Sequence, residues 1–135
     1  MIHELMHAMG FWHEHMRRDR DKYVEIIDEN IREESKENLY IQHINQANLV
    51  GEYDICSIMH YYINAFGKHK DPSNKTTEGQ MITMKPKRNK CSDCYGDDCK
   101  NCYNCDIGNM TKNKDMTDID IEKINLYYKC KAIGK

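Results

Sequence analysis

The chain has 135 residues, of which 31% are charged and 39% hydrophobic, and its mean hydropathy is −0.89. That length suits one domain, and so polar a composition leaves a modest core. Twenty lysines and arginines stand against 22 aspartates and glutamates. The bases are spread among the acids, so nothing favours nucleic acid or an anionic lipid surface, and no apolar run approaches a membrane helix.

The first predicted element is a helix that carries chemistry. Residues 3–13 read H-E-L-M-H-A-M-G-F-W-H. On a helix of ~3.6 residues per turn, His3 and His7 are i and i+4, so both rings leave one face and can share a tetrahedral metal. Glu4 lies beside that face, where a general base must be to take a proton from a metal-bound water. Gly10 is expected to break the helix, because glycine enters the left-handed region without a Cβ clash, and the turn returns His13 as a third ligand. A lone His-Glu-x-x-His also suits a surface helix with two exposed histidines. With the glycine and third histidine at these offsets, the string resembles the metzincin motif of zinc peptidases.

From Arg17 to Leu39 the apolar positions Val24, Ile26, Ile27, Ile31 and Leu39 fit short elements packed on one side better than a long amphipathic helix. Asp71-Pro72-Ser73-Asn74 has the composition of a turn, and Met81 to Met84 alternate weakly as a short strand before Pro86. Five of the seven cysteines crowd into Cys91, Cys94, Cys99, Cys102 and Cys105, with Cys56 and Cys130 outlying. A disulfide-stapled loop and a second, structural zinc site both suit this spacing, and redox or unpaired thiols are a third reading. The short spacer between the two Cys-x-x-Cys pairs favours the staple. Cys56 either pairs with this stretch or stays unpaired. The last predicted helix begins at Thr117 as a cap, with Asp118 and Asp120 in its first turn. Ile121, Ile124 and Tyr128 share one face, expected to pack against the metal-site layer. His15, His43, His60 and His69 sit at none of the motif's offsets and receive no ligand role.

Phe11, His13, Glu14, Arg18, Asp19, Arg20 and Asp21 continue the opening string, which resembles the astacin family's HExxHxxGFxHE and its following R-x-D-R-D segment. Ser57-Ile58-Met59-His60-Tyr61 resembles that family's methionine turn, and Thr117 to Cys130 resembles its closing helix. The resemblance covers nearly the whole chain apart from the cysteine-rich stretch, but only the later part of an astacin catalytic domain. It implies an α+β metzincin (zincin-like) fold lacking its N-terminal sheet-containing part, as a partial peptidase domain over 1–135 with a cysteine-rich loop insertion at 89–107. The sheet region that carries the substrate would precede His3, so a truncated sequence is expected. Met1-Ile2-His3-Glu4 does not read as a signal peptide. Secretion is implied by resemblance alone.

The function so implied is hydrolysis of peptide bonds in a protein or peptide substrate by a zinc-dependent endopeptidase. One catalytic Zn2+ would be held by His3, His7 and His13, and Glu4 would activate its bound water. By the same resemblance, Tyr61 leaves the metal when substrate binds and hydrogen-bonds the oxyanion; the plain alternative is a core tyrosine. Met59 would floor the site, and Arg18, Asp19, Arg20 and Asp21 would brace the chain after the zinc helix. Glu14 would receive the new N-terminal ammonium of a processed enzyme, and Cys130 would pair with a cysteine ahead of the motif. The competing functions are an inactive zinc-binding relic and an interaction module built on the cysteine-rich loop.

Overall fold

The computed structural model describes residues 2–42, 50–71, 73, 79–87 and 115–130. Helix α1 (Ile2–Ala8) stops where the sequence supplies a glycine. Gly10 takes φ +90°; its N–H bonds the His7 carbonyl at 2.9 Å, and the Phe11 N–H bonds the Met6 carbonyl at 3.0 Å. These two bonds form a Schellman ending, completed by apolar contact because Met6 and Phe11 share one core cluster. A Cβ at Gly10 would meet no neighbouring atom, so glycine is required by the sign of φ, at a cost of ~1–2 kcal/mol for any L side chain.

The stretch from Arg17 to Leu39 forms the short elements expected of it, with one further turn just ahead. Turns of 3-10 helix occupy Glu14–Met16, Arg20–Lys22 and Asp28–Asn30, strand β1 spans Val24–Ile26, and a longer 3-10 helix covers Glu33–Leu39. Val24, Ile31 and Leu39 are buried, while Ile26 and Ile27 are half-buried. Arg20 ties this stretch together through the carbonyls of His15 and Leu39.

The second strand differs from expectation. Strand β2 is Met84–Pro86, not Met81–Met84, and pairs antiparallel with β1, setting Val24 opposite Pro86 and Ile26 opposite Met84. Pro86 is tolerated because the ladder bonds flank it: Lys87 N–H donates to the Tyr23 carbonyl at 2.7 Å, and Ile27 N–H to the Thr83 carbonyl at 2.8 Å. Its missing donor falls where none is needed. The N–H groups of Met81 and Thr83 are engaged elsewhere, on the Lys68 and Ile63 carbonyls. At the predicted turn, Asp71 Oδ1 accepts from the Ser73 N–H at 2.8 Å and its hydroxyl at 2.7 Å; Pro72 and Asn74 lie outside the described residues.

Helix α2 (Asp118–Tyr128) starts as predicted. Thr117 accepts from the Asp120 N–H while the Asp120 carboxylate accepts from the Thr117 N–H, a reciprocal capping box. Its buried face is not the predicted one. Ile121 and Tyr128 are 44% and 51% exposed, whereas Asp120 and Lys123 are 1% and 2% exposed. Only Ile124 of the predicted trio packs inward, against the cluster of Met6, Phe11, Ile58 and Met59. The helix is rotated because two charged residues have buried partners that an apolar pattern does not reveal. Cys56 is disulfide-bonded and Cys130 is an exposed free cysteine. The cysteine-rich stretch 89–107 and His43 lie outside the described residues, and no described helix is long and apolar enough to cross a membrane.

Candidate metal centre

Helix α1 carries His3 and His7 one turn apart, and the Gly10 turn brings His13 against both. The ring centroids stand 4.6 Å (His3–His7), 4.7 Å (His7–His13) and 5.3 Å (His3–His13) apart. One ligand atom from each lies within 4.8 Å of the other two, and among the described residues this is the one cluster of metal-binding side chains. Tetrahedral zinc with bonds of ~2.1 Å needs donors ~3.4 Å apart, a spacing that ring shifts under ~1 Å reach from here.

The backbone prepares two of the rings. His3 Nδ1 is 2.8 Å from the Ile58 carbonyl and His7 Nδ1 is 2.8 Å from the Phe11 carbonyl. A carbonyl only accepts, so each Nδ1 carries the proton and each Nε2 keeps its lone pair for a metal. His13 is kept neutral by burial and then by the neighbouring His7, His3 and His60, which together lower its pKa to about 3. Neutral imidazole is the form that ligates, so the donor set fits zinc.

Glu4 sits beside His3 on α1 and is exposed. Tyr61 is half-buried, with its ring tilted over His13 at 4.2 Å and stacked on His15 at 4.3 Å. Burial, then Tyr62, pushes its phenol up, so it holds its proton at neutral pH. The structure thus gathers His3, His7, His13 and Tyr61, and leaves Glu4 exposed on the same helix. Met59 is buried with Met6, Phe11 and Ile58.

Several supporting residues escape a reading based on spacing. His15 is fully buried, with Nε2 on the Asn38 carbonyl at 3.0 Å, and forms the surface under Tyr61. His60 donates from Nδ1 to the Tyr61 carbonyl and accepts at Nε2 from the Tyr53 hydroxyl, both at 2.7 Å. Burial lowers its pKa to about 4, against the opposing effect of its bond to Tyr61. In the charged segment, Arg18 is exposed, and Arg17 does the bracing with Asp19, Arg20 and Asp21. Arg17 grips Asp19 through two bonds of 2.9 Å, reaches Glu14 at 3.2 Å, and holds the Glu52 and Gly51 carbonyls. Burial pushes the Glu14 carboxyl up, opposed by Lys123 and Arg17. Two side-chain cations meet this carboxylate, Lys123 Nζ at 2.5 Å and Arg17 Nη1 at 3.2 Å. Asp120 holds the methionine turn: Oδ1 accepts from the Ser57 hydroxyl at 2.6 Å and Oδ2 from the Ile58 N–H at 3.1 Å.

A three-histidine cluster on a glycine-ended helix, beside a buried methionine turn, is the arrangement of a metzincin-type centre. The chain belongs to the astacin family of peptidases: the family profile described as Astacin matches residues 1–129. It is 34% identical over 131 residues to zinc metalloproteinase nas-7 of Caenorhabditis elegans, covering 96% of this chain and 27% of that protein. It is 37% identical over 128 residues to the low choriolytic enzyme of Oryzias latipes, covering 95% of this chain and 37% of that protein. Among solved structures it resembles high choriolytic enzyme 1, a hatching enzyme zinc-protease of the same fish. That match has a TM-score of 0.67 and 35% identity, over 96% of this chain and 51% of that one. The chain thus spans about half of that structure and a smaller share of the other two relatives.

Proposed function

We propose that residues 1–135 carry the metal-binding part of a zinc-dependent metalloendopeptidase, with one catalytic zinc held by His3, His7 and His13. The observation that carries this reading is the convergence of three imidazole donors within 4.8 Å of one another. When bound, zinc supplies Lewis acidity, lowering the pKa of a coordinated water to about 7 and polarising a scissile carbonyl. Glu4, exposed next to His3, takes the proton of the attacking water on its carboxylate and returns it to the departing amine nitrogen. Tyr61, protonated and lying against His13, donates a hydrogen bond to the substrate oxygen that gains negative charge. His15 and His60 hold that tyrosine, one by its ring and the other by its backbone carbonyl.

The substrate is a protein or peptide. An oxidised Cys56 supports a secreted, extracellular protein, since disulfides persist in oxidising compartments. Such a compartment favours disulfides over a second zinc site as the use of the cysteines in 89–107. The test combines metal content with turnover on a peptide substrate, both measured on the full-length protein. One zinc per chain, hydrolysis abolished by a chelator and restored by zinc, and a Glu4→Gln variant that keeps zinc but loses turnover are expected. Unchanged turnover in Glu4→Gln removes Glu4 from the mechanism.

A further inference from the structure

Lysine is among the residues least often buried, yet Lys123 is buried on α2 with its ammonium 2.5 Å from Glu14 Oε1, a partner 109 positions away. Taking both charges out of water is costly and is repaid only by good geometry and further hydrogen bonds. Those bonds are present: Glu14 Oε1 also accepts from the Asp54 N–H at 2.9 Å and from Arg17 at 3.2 Å. Room for the lysine stem comes from Gly51, at φ +69°, where a Cβ would lie 3.1 Å from Lys123 Cγ. Glu14 directly follows His13, and its own N–H bonds the Met59 carbonyl at 2.9 Å. The backbone leaving His13 is thus held by the methionine turn on one side and, through its side chain, by α2 on the other. One turn earlier on α2, Asp120 grips Ser57 and Ile58, and the Ile58 carbonyl orients His3. One face of this helix therefore supports both ends of the histidine string.

We propose that Lys123 is a positioning residue for the metal centre: through Glu14, its buried ammonium fixes the backbone that presents His13, and thereby sets metal affinity. The proposal rests on the zinc reading of His3, His7 and His13. The test measures zinc affinity by chelator competition, the thermal midpoint, and the His13 ring resonances in wild type, Lys123→Met and the double variant Glu14→Gln/Lys123→Met. Lys123→Met is expected to weaken zinc binding about 10- to 100-fold, the usual effect of losing a group that orients a ligand, and to shift the His13 signals. The double variant removes the buried charge that has lost one of its two cations but leaves the tether broken. It is expected to regain the thermal midpoint while zinc stays weakly held. Zinc affinity within about threefold of wild type in Lys123→Met, or affinity that recovers together with the midpoint in the double variant, overturns the proposal and leaves Lys123 as a neutraliser of buried charge. Should Lys123→Met fail to fold, the double variant decides by the same comparison with wild type. A wild-type chain that takes up no zinc removes the metal reading itself and the proposal with it, so the two failures are told apart.

Discussion

Replacing Asp120 by alanine tests the coupling between α2 and the methionine turn. The carboxylate accepts from the Ser57 hydroxyl at 2.6 Å, the Ile58 N–H at 3.1 Å and the Thr117 N–H at 3.1 Å. A hydrogen bond to a charged group contributes ~1.5–3 kcal/mol, but three bonds to one carboxylate are not additive. The expected loss is ~4 kcal/mol, in the range for breaking a buried charged contact. Against a total stability of ~5–15 kcal/mol that is a large fraction, and it corresponds to a fall in Tm of roughly 15 °C for a domain of this size. Asp120→Asn keeps one oxygen acceptor and is expected to lose ~2 kcal/mol. Urea denaturation followed by circular dichroism at pH 7, with chelator present so that zinc linkage does not enter, measures both. A loss under ~1.5 kcal/mol for the alanine variant, with an unchanged m-value, refutes the assigned role.

Other outcomes follow from the same geometry. Tyr61→Phe removes the phenol but keeps the ring against His13, and steady-state kinetics should show kcat lowered ~100-fold with KM little changed; equal kcat values remove Tyr61 from the chemistry. His60 has its pKa lowered from 6.5 to about 4. On acidification the unfolded chain therefore takes up this proton first, and stability is full above pH 6.5, then declines as pH falls towards 4. The total decline attributable to His60 is ~3 kcal/mol. His60→Gln, which retains a donor and an acceptor, should flatten the fall of the thermal midpoint between pH 6.5 and 4; parallel slopes for variant and wild type contradict the assignment.

The metal centre was legible because a helix turns every ligand offset into a direction, and because Gly10 has few uses at the end of α1 other than the left-handed turn it makes. The same logic misassigned α2. Periodicity ranks residues by apolarity, and the buried face of this helix is built on Asp120 and Lys123, whose partners Ser57 and Glu14 are remote in sequence. His15 and His60 were missed for a related reason. Each is buried by a partner outside the local pattern, His15 by the Asn38 carbonyl and His60 by the Tyr53 hydroxyl. No apolar or ligand spacing encodes such pairs. Arg17 is a different case: residues 17–21 fit R-x-D-R-D with Arg17 first, two positions before the Asp19 it grips, and setting that string one residue late put its role on the exposed Arg18. Strand β2 was displaced because alternation alone does not report which side of a ladder carries the hydrogen bonds, and Pro86 sits on the side that lacks them.

The long reach of α2 also bears on the order in which the molecule is made. Glu14 leaves the ribosome 109 residues before its ammonium partner, a delay of ~5–20 s at ordinary synthesis rates. Throughout that interval the histidines exist without the helix that braces them. The ion-binding pocket is therefore translated well before the helix that lets it set.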